Sequence, residues 1–165
     1  MPDVTAVHEE VETLAVEVNI PGHDPRTTTT LFRESKKKLI ARAGVGRCHI
    51  CGATAEESGH PLEAHHHPIE RSLANMIDWK RVEADCKAGM WGEPAALFDW
   101  ASFDPAKPET FVDDMTVNGV LLCKEHHTGK DEGIHDMPFP LWIAQRYGQE
   151  GYRFSKVEII HHQED

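Results

Sequence analysis

Two Cys/His pairs at metal-ligand spacing, short strand-like alternations between helical segments, and a run of aromatic residues midway along the chain predict a small α+β domain. The pairs staple its core, and the aromatic stretch forms an ordered helical insertion. The length of 165 residues and mass of 18.6 kDa suit one domain. With 39% hydrophobic and 27% charged residues the chain can bury a core, which excludes a disordered or fibrous protein. No apolar stretch approaches the roughly 20 residues of a membrane-spanning helix. The acidic start MPDVTAVHEEVETLAVEV lacks the basic and apolar regions of a secretory signal, so a soluble, cytoplasmic protein without membrane contact is expected.

Residues 1–25 form an acidic region in which Leu14, Val16, Val18 and Ile20 alternate with Ala15, Glu17 and Asn19, predicting a strand that ends at Pro21-Gly22. Residues 26–47 are basic. Their threonine run at 27–30 offers N-caps for a helix over 31–43, stopped by Gly44 and Gly46. Leu31, Phe32, Leu39, Ile40 and Ala43 make its apolar face and leave the lysines on the other side.

The core is expected from two segments, 48–70 and 117–148. In the first, Cys48-His-Ile-Cys51-Gly52 reads as a tight metal-binding turn, and 61–67 as a short extended piece ended by Pro68. In the second, 117–122 is a strand-like run with a turn inside it, Cys123 starts about two helical turns interrupted by Gly129 and Gly133, and 140–147 is a helix closed by Gly148. Residues 152–161, within a C-terminal strand and tail at 149–165, read as a final strand.

The insertion, 71–116, is predicted to carry a helix capped by Ser72 and running through Leu73, Met76 and Ile77 towards Cys86, then a short helix near Pro94. It holds Trp79, Trp91, Trp100, Phe98, Phe103 and Phe111. Its acids outnumber its bases, so these rings are assigned to a small core rather than to stacking on bases.

Four cysteines in an intracellular chain point to metal rather than disulfides. Cys48-x2-Cys51 and Cys123-x2-His126 aim two pairs of ligands at one ion and complete a tetrahedral, closed and therefore structural Zn2+ site. Cys86 has no partner at ligand spacing and reads as a core residue. His65, His66 and His67 follow the first pair and His127 follows the second, so the staple would bring them together. A second, open metal site with His65 and His127 as ligands is then expected.

The order Cys-x2-Cys, Leu62-Glu63-Ala64-His65-His66, Asn118-Gly119-Val120-Leu121-Leu122-Cys123 and Cys123-x2-His126-His127 resembles the HNH endonucleases, the ββα-metal or His-Me finger family, in their zinc-stapled form. The stretch from His127 to His135 and the helix after it are similar to phage-borne members, which implies a bacterial or phage source. The resemblance covers about 48–70 and 117–148 and implies a treble-clef-like ββα core. It implies that His65 and His127 hold a catalytic Mg2+ or Mn2+, that His66 is the general base, and that Asn118 orients the base through nearby backbone. His135 would help hold the metal or the scissile phosphate, and Asp131 is the alternative ligand. The His65–His67 triplet leaves the register open.

The net charge of −11 argues against a polyanionic partner, but residues 26–47 carry seven basic side chains against Glu34 alone. Lys36, Lys37, Lys38 and Arg42 are therefore the expected DNA-docking residues. The expected function is metal-dependent hydrolysis of DNA phosphodiester bonds. The alternative is a non-catalytic treble-clef zinc module that binds nucleic acid or a host protein, with the 71–116 insertion meeting a protein partner or a second copy.

Overall fold

The computed structural model describes residues 27–147 except 43, 45, 131 and 138. The strands expected at 14–20 and 152–161, the closing Gly148 and the candidate ligand Asp131 lie outside the described residues. Among the described residues the fold is mixed α/β around a two-stranded sheet. No helix among the described residues is long and apolar enough to cross a membrane.

Strand β1 (Glu63–His66) pairs antiparallel with β2 (Gly119–Leu122), with Glu63 opposite Leu122 and His66 opposite Gly119. The pairing runs one step further, as the His67 amide donates to the Asn118 carbonyl at 3.2 Å. Gly119 is required there, because a Cβ would run into the Met115 backbone. Helix α6 (Lys124–Thr128) follows β2 directly and packs on both strands.

Helix α1 (Thr30–Ala41) begins as the threonine run predicts, with Thr29 Oγ1 accepting from the Phe32 amide at 3.0 Å. It ends at Ala41 rather than 43. Its buried face is Phe32, Ser35 and Leu39, at helical spacing, whereas Leu31 and Ile40 are exposed. Ser35 displaces the expected apolar residues because it has partners. Its Oγ donates to the Asp113 carbonyl at 3.0 Å and accepts from the Met115 amide at 2.9 Å.

Helix α2 (Ala55–Ser58) was not expected, although Thr54 and Glu57 form a reciprocal capping box that the Thr-x-x-Glu spacing announces. The insertion helix expected from Ser72 towards Cys86 is broken. Residues Arg71–Met76 form a 3-10 turn, and α3 (Trp79–Lys87) starts afresh where Asp78 Oδ1 caps the Lys80 amide. Helix α4 (Glu93–Ala96) carries Pro94 in its first turn, as predicted, and α5 (Glu109–Val112) leads back towards β2. Helix α7 (Phe139–Ala144) runs into a 3-10 turn at Gln145–Tyr147.

Two apolar clusters result. One joins Leu39, Leu62, Met115, Leu121, Leu122 and Trp142 around the sheet. The other lies inside the insertion and joins Trp79, Val82, Cys86, Ala95, Trp100, Phe111 and Val112, with Phe98 and Phe103 against it. The aromatic density is thus core packing, through edge-to-face contacts such as Phe98 on Phe111 at 5.1 Å. Trp91 is the exception, being 37% exposed.

Candidate metal centres

The first centre grows from the turn after α1. The Cys48 amide donates to the Ala53 carbonyl and the Gly52 amide to the Cys48 carbonyl, with Gly52 at φ +74°, a conformation that favours glycine. The His49 amide donates to the Leu121 carbonyl, which fastens the turn to β2. From the other side, α6 brings His126 one turn past Cys123, and the buried Trp142 indole donates to the His126 carbonyl at 3.0 Å.

The ligand atoms of Cys48, Cys51, Cys123 and His126 lie within 4.8 Å of one another. Tetrahedral zinc with Zn–S bonds of about 2.3 Å separates its sulfurs by about 3.8 Å. The Cys51 and Cys123 sulfurs stand 3.9 Å apart, and His126 Nδ1 is 3.1 Å from Cys123 Sγ and 3.9 Å from Cys48 Sγ. This Cys3His cluster can hold a zinc ion. Burial pushes the Cys123 thiol up to about 12 and raises Cys51. At Cys48 burial acts in the same sense but is outweighed by hydrogen bonds from His126 and the backbone, which bring it down to about 6. A cation at the centre of the cluster would offset this burial and hold all three sulfurs as thiolates. Cys86 is fully buried in the insertion core, away from this cluster.

The second centre lies on one face of β1. Alternation along the strand puts Glu63 and His65 on that face and turns His66 to the other. Ligand atoms of His65, His127 and His135 lie within 4.8 Å of one another. The Nε2 atoms of His127 and His135 are 3.3 Å apart, and the His65 ring lies 5.3 and 5.0 Å from theirs. Behind His127, Nδ1 meets Glu63 Oε2 at 2.5 Å, so its Nε2 is presented to the cluster. Glu70 Oε1 stands 3.1 Å from His65 Nε2. Burial first, and then the neighbouring histidines, lower His65 to about 3, so it is a neutral imidazole at physiological pH, the form a metal binds. His135 is exposed and His127 half-buried, which leaves the cluster open to solvent. Three imidazole nitrogens favour a borderline transition ion over Mg2+, whose ligands are oxygens.

His66 is separated from this cluster. Its ring stacks on Phe32 at 5.5 Å, and its Nε2 faces Oδ1 of the fully buried Asp113 at 3.5 Å. That distance is long for a hydrogen bond, and neither atom has another hydrogen-bond partner among the described residues, so the contact is electrostatic. Burial acts to raise the Asp113 carboxyl, but His66, the Thr29 hydroxyl at 2.8 Å and Arg71 at 3.4 Å together hold it below its ordinary range.

Asn118 is fully buried just before β2. Its Oδ1 accepts from the Ile69 amide, and its Nδ2 donates to the carbonyls of Ile69 and Val112, all between 2.9 and 3.0 Å. It clamps the backbone that leaves the histidine triplet. Compared with known protein families, curated proteins and solved structures, the chain matches none.

Of the basic residues singled out for docking, Lys37, Lys38 and Arg42 are exposed and Lys36 is half-buried, on or at the end of α1. Sequence reasoning did not single out Asp113, and it gave Glu63 and Glu70 no definite partner. For Glu63 the signal was present: it lies two residues before His65, hence on the same strand face.

Proposed function

We propose that the chain is a zinc-stapled, metal-dependent nuclease of ββα-metal type that hydrolyses DNA phosphodiester bonds. The observation that carries this reading is the convergence of His65, His127 and His135 on an open cluster beside a closed Cys3His cluster. The succession β1, β2, α6 and the Asn118 clamp support it, since His65 lies on β1, His127 on the helix that follows its partner strand, and Asn118 holds the backbone beyond β1.

In this reading His65, His127 and His135 would hold a divalent transition ion, for which Mn2+ serves as the probe. Bound there, the ion would supply positive charge that offsets the charge developing at the scissile phosphate. Glu63 fixes the His127 tautomer. His66, the last residue of β1, takes the proton of the attacking water on Nδ1, while Asp113 faces its Nε2 and favours the proton there. Asn118 holds the backbone beyond the base in place, and Lys36, Lys37, Lys38 and Arg42 draw the phosphate backbone to α1. The products carry 5′-phosphate and 3′-hydroxyl ends.

The assignment of the base is tested with His66→Ala and Glu70→Gln on supercoiled plasmid in Mn2+. His66→Ala is expected to cut about 10^2–10^4-fold more slowly with zinc content and DNA affinity kept, and Glu70→Gln to cut at a rate close to wild type. Loss of cutting only in Glu70→Gln would transfer the base to the carboxylate beside His65. Wild-type cutting by His66→Ala would remove it from the reaction and leave it as a partner of Asp113.

A further inference from the structure

A groove of about 470 Å³ opens where β1 ends, between the end of α1, the Cys48–Gly52 turn, β2 and the insertion. In a chain of net charge −11 its lining holds Arg42, Arg47 and Arg146, and no Asp or Glu among the described residues. His49 and His67 also line it.

Trp91, Pro94 and Thr116 are the insertion's part of the lining, and Trp91 is its aromatic member. It is the tryptophan left out of the insertion core, and only the edge-to-face contact of His67, at 5.9 Å, engages its ring among the aromatic contacts of the described residues. Arg47 shares its charge with Glu57 at 3.2 Å, and Arg146 donates to the His49 carbonyl, so these two also brace the groove.

We infer that this groove is a subsite for an unpaired nucleotide of the substrate, its phosphate held at Arg42 and Arg146 and its base stacked on Trp91. The inference rests on the proposed nucleic-acid chemistry and adds a substrate class, single-stranded or locally opened DNA. Arginine and aromatic side chains lining one groove are the elements that single strands use, and a base buried in a duplex stack has no face to offer Trp91. A volume of this order takes a small molecule, not a duplex. His67, which lines the groove, lies two residues beyond His65 of the open cluster.

The test is the anisotropy of a labelled oligo-dT 12-mer, and of a 12-base-pair duplex, titrated with zinc-loaded full chain and no added divalent ion. Wild type is expected to prefer the single strand. Trp91→Ala should weaken that complex about 5- to 150-fold, leave the duplex complex unchanged and keep the circular-dichroism spectrum, while Trp91→Phe restores most of the affinity. Arg42→Ala should reduce the salt slope of single-strand binding by about 0.7. A wild type that prefers duplex, or a Trp91→Ala variant that binds the 12-mer as wild type does, overturns the subsite. Because the readout is binding, a protein that binds in this pattern but never cuts refutes the hydrolase and keeps the groove. One that cuts while Trp91→Ala binds normally does the reverse.

Discussion

Glu63 Oε2 and His127 Nδ1 meet at 2.5 Å across the space between β1 and α6. The pair ties the strand to the helix and leaves His127 Nε2 facing His135 Nε2 at 3.3 Å. Carboxylates behind metal-binding histidines typically contribute 10–100-fold in affinity. Glu63→Gln is therefore expected to weaken Mn2+ binding at the open cluster by about that factor, by calorimetry on zinc-loaded protein, with no zinc lost. An unchanged Mn2+ affinity would mean that the pair serves packing alone.

The Cys3His cluster joins the turn at Cys48 to α6, bringing together Cys51 and Cys123 from positions 72 residues apart. Structural zinc contributes about 10–16 kcal/mol in small zinc fingers, as much as a whole domain's usual stability. Cys123→Ser should thus lose zinc and cooperative unfolding together. Elemental analysis that finds less than one equivalent of zinc in correctly folded wild type would dismiss the staple.

Removing Asn118 strands two carbonyls and an amide, those of Ile69 and Val112, around a fully buried side chain. Asn118→Ala should cost at least about 3 kcal/mol in a urea titration, since each of the three groups left unpaired costs about 1–3 kcal/mol. A loss under about 0.5 kcal/mol would show that the clamp is dispensable.

His65 makes a prediction about acid. Its burial, reinforced by His127 and His135, puts its folded-state pKa at about 3, below the value of about 6.5 in an unfolded chain. Between those values the unfolded chain binds a proton that the native state refuses, so stability falls as pH falls. The contribution is at most about 1.4 kcal/mol per pH unit. His65→Gln should flatten the stability curve between about pH 6 and 4 relative to wild type. Parallel curves would contradict the assigned burial.

Much of the site could be read from spacing, because metal ligands sit at short local intervals that a turn or a helix converts directly into geometry. Cys48 and Cys51, Cys123 and His126, and the nearness of His65 to His127 were legible in this way. The insertion core was legible as aromatic density. What depends on long-range packing was not. Ser35 is buried on α1 because of Asp113 and Met115, some 80 residues away, so an apolar-face reading chose Ile40 instead. The separation of His66 from His65 follows from strand alternation, yet a motif read as a dyad hides it. Asp113 gave no signal, since a buried acid looks like any surface acid until His66, Thr29 and Arg71 surround it. The break at Asp78 shows a local cap overruling a continuous apolar pattern.

In the proposed function the His65–His127–His135 cluster, not the Cys3His cluster, is the centre of phosphodiester hydrolysis. The most direct measurement is the conversion of supercoiled plasmid to nicked or linear DNA by zinc-loaded protein across a Mn2+ titration, with wild type beside His65→Ala and His127→Ala. Wild type should cut in proportion to Mn2+ occupancy. Both variants should keep one equivalent of zinc and be at least about 100-fold slower, with His127→Ala partly restored at high Mn2+. Cutting by both variants at the wild-type rate, or no Mn2+-dependent cutting by wild type, would contradict the account.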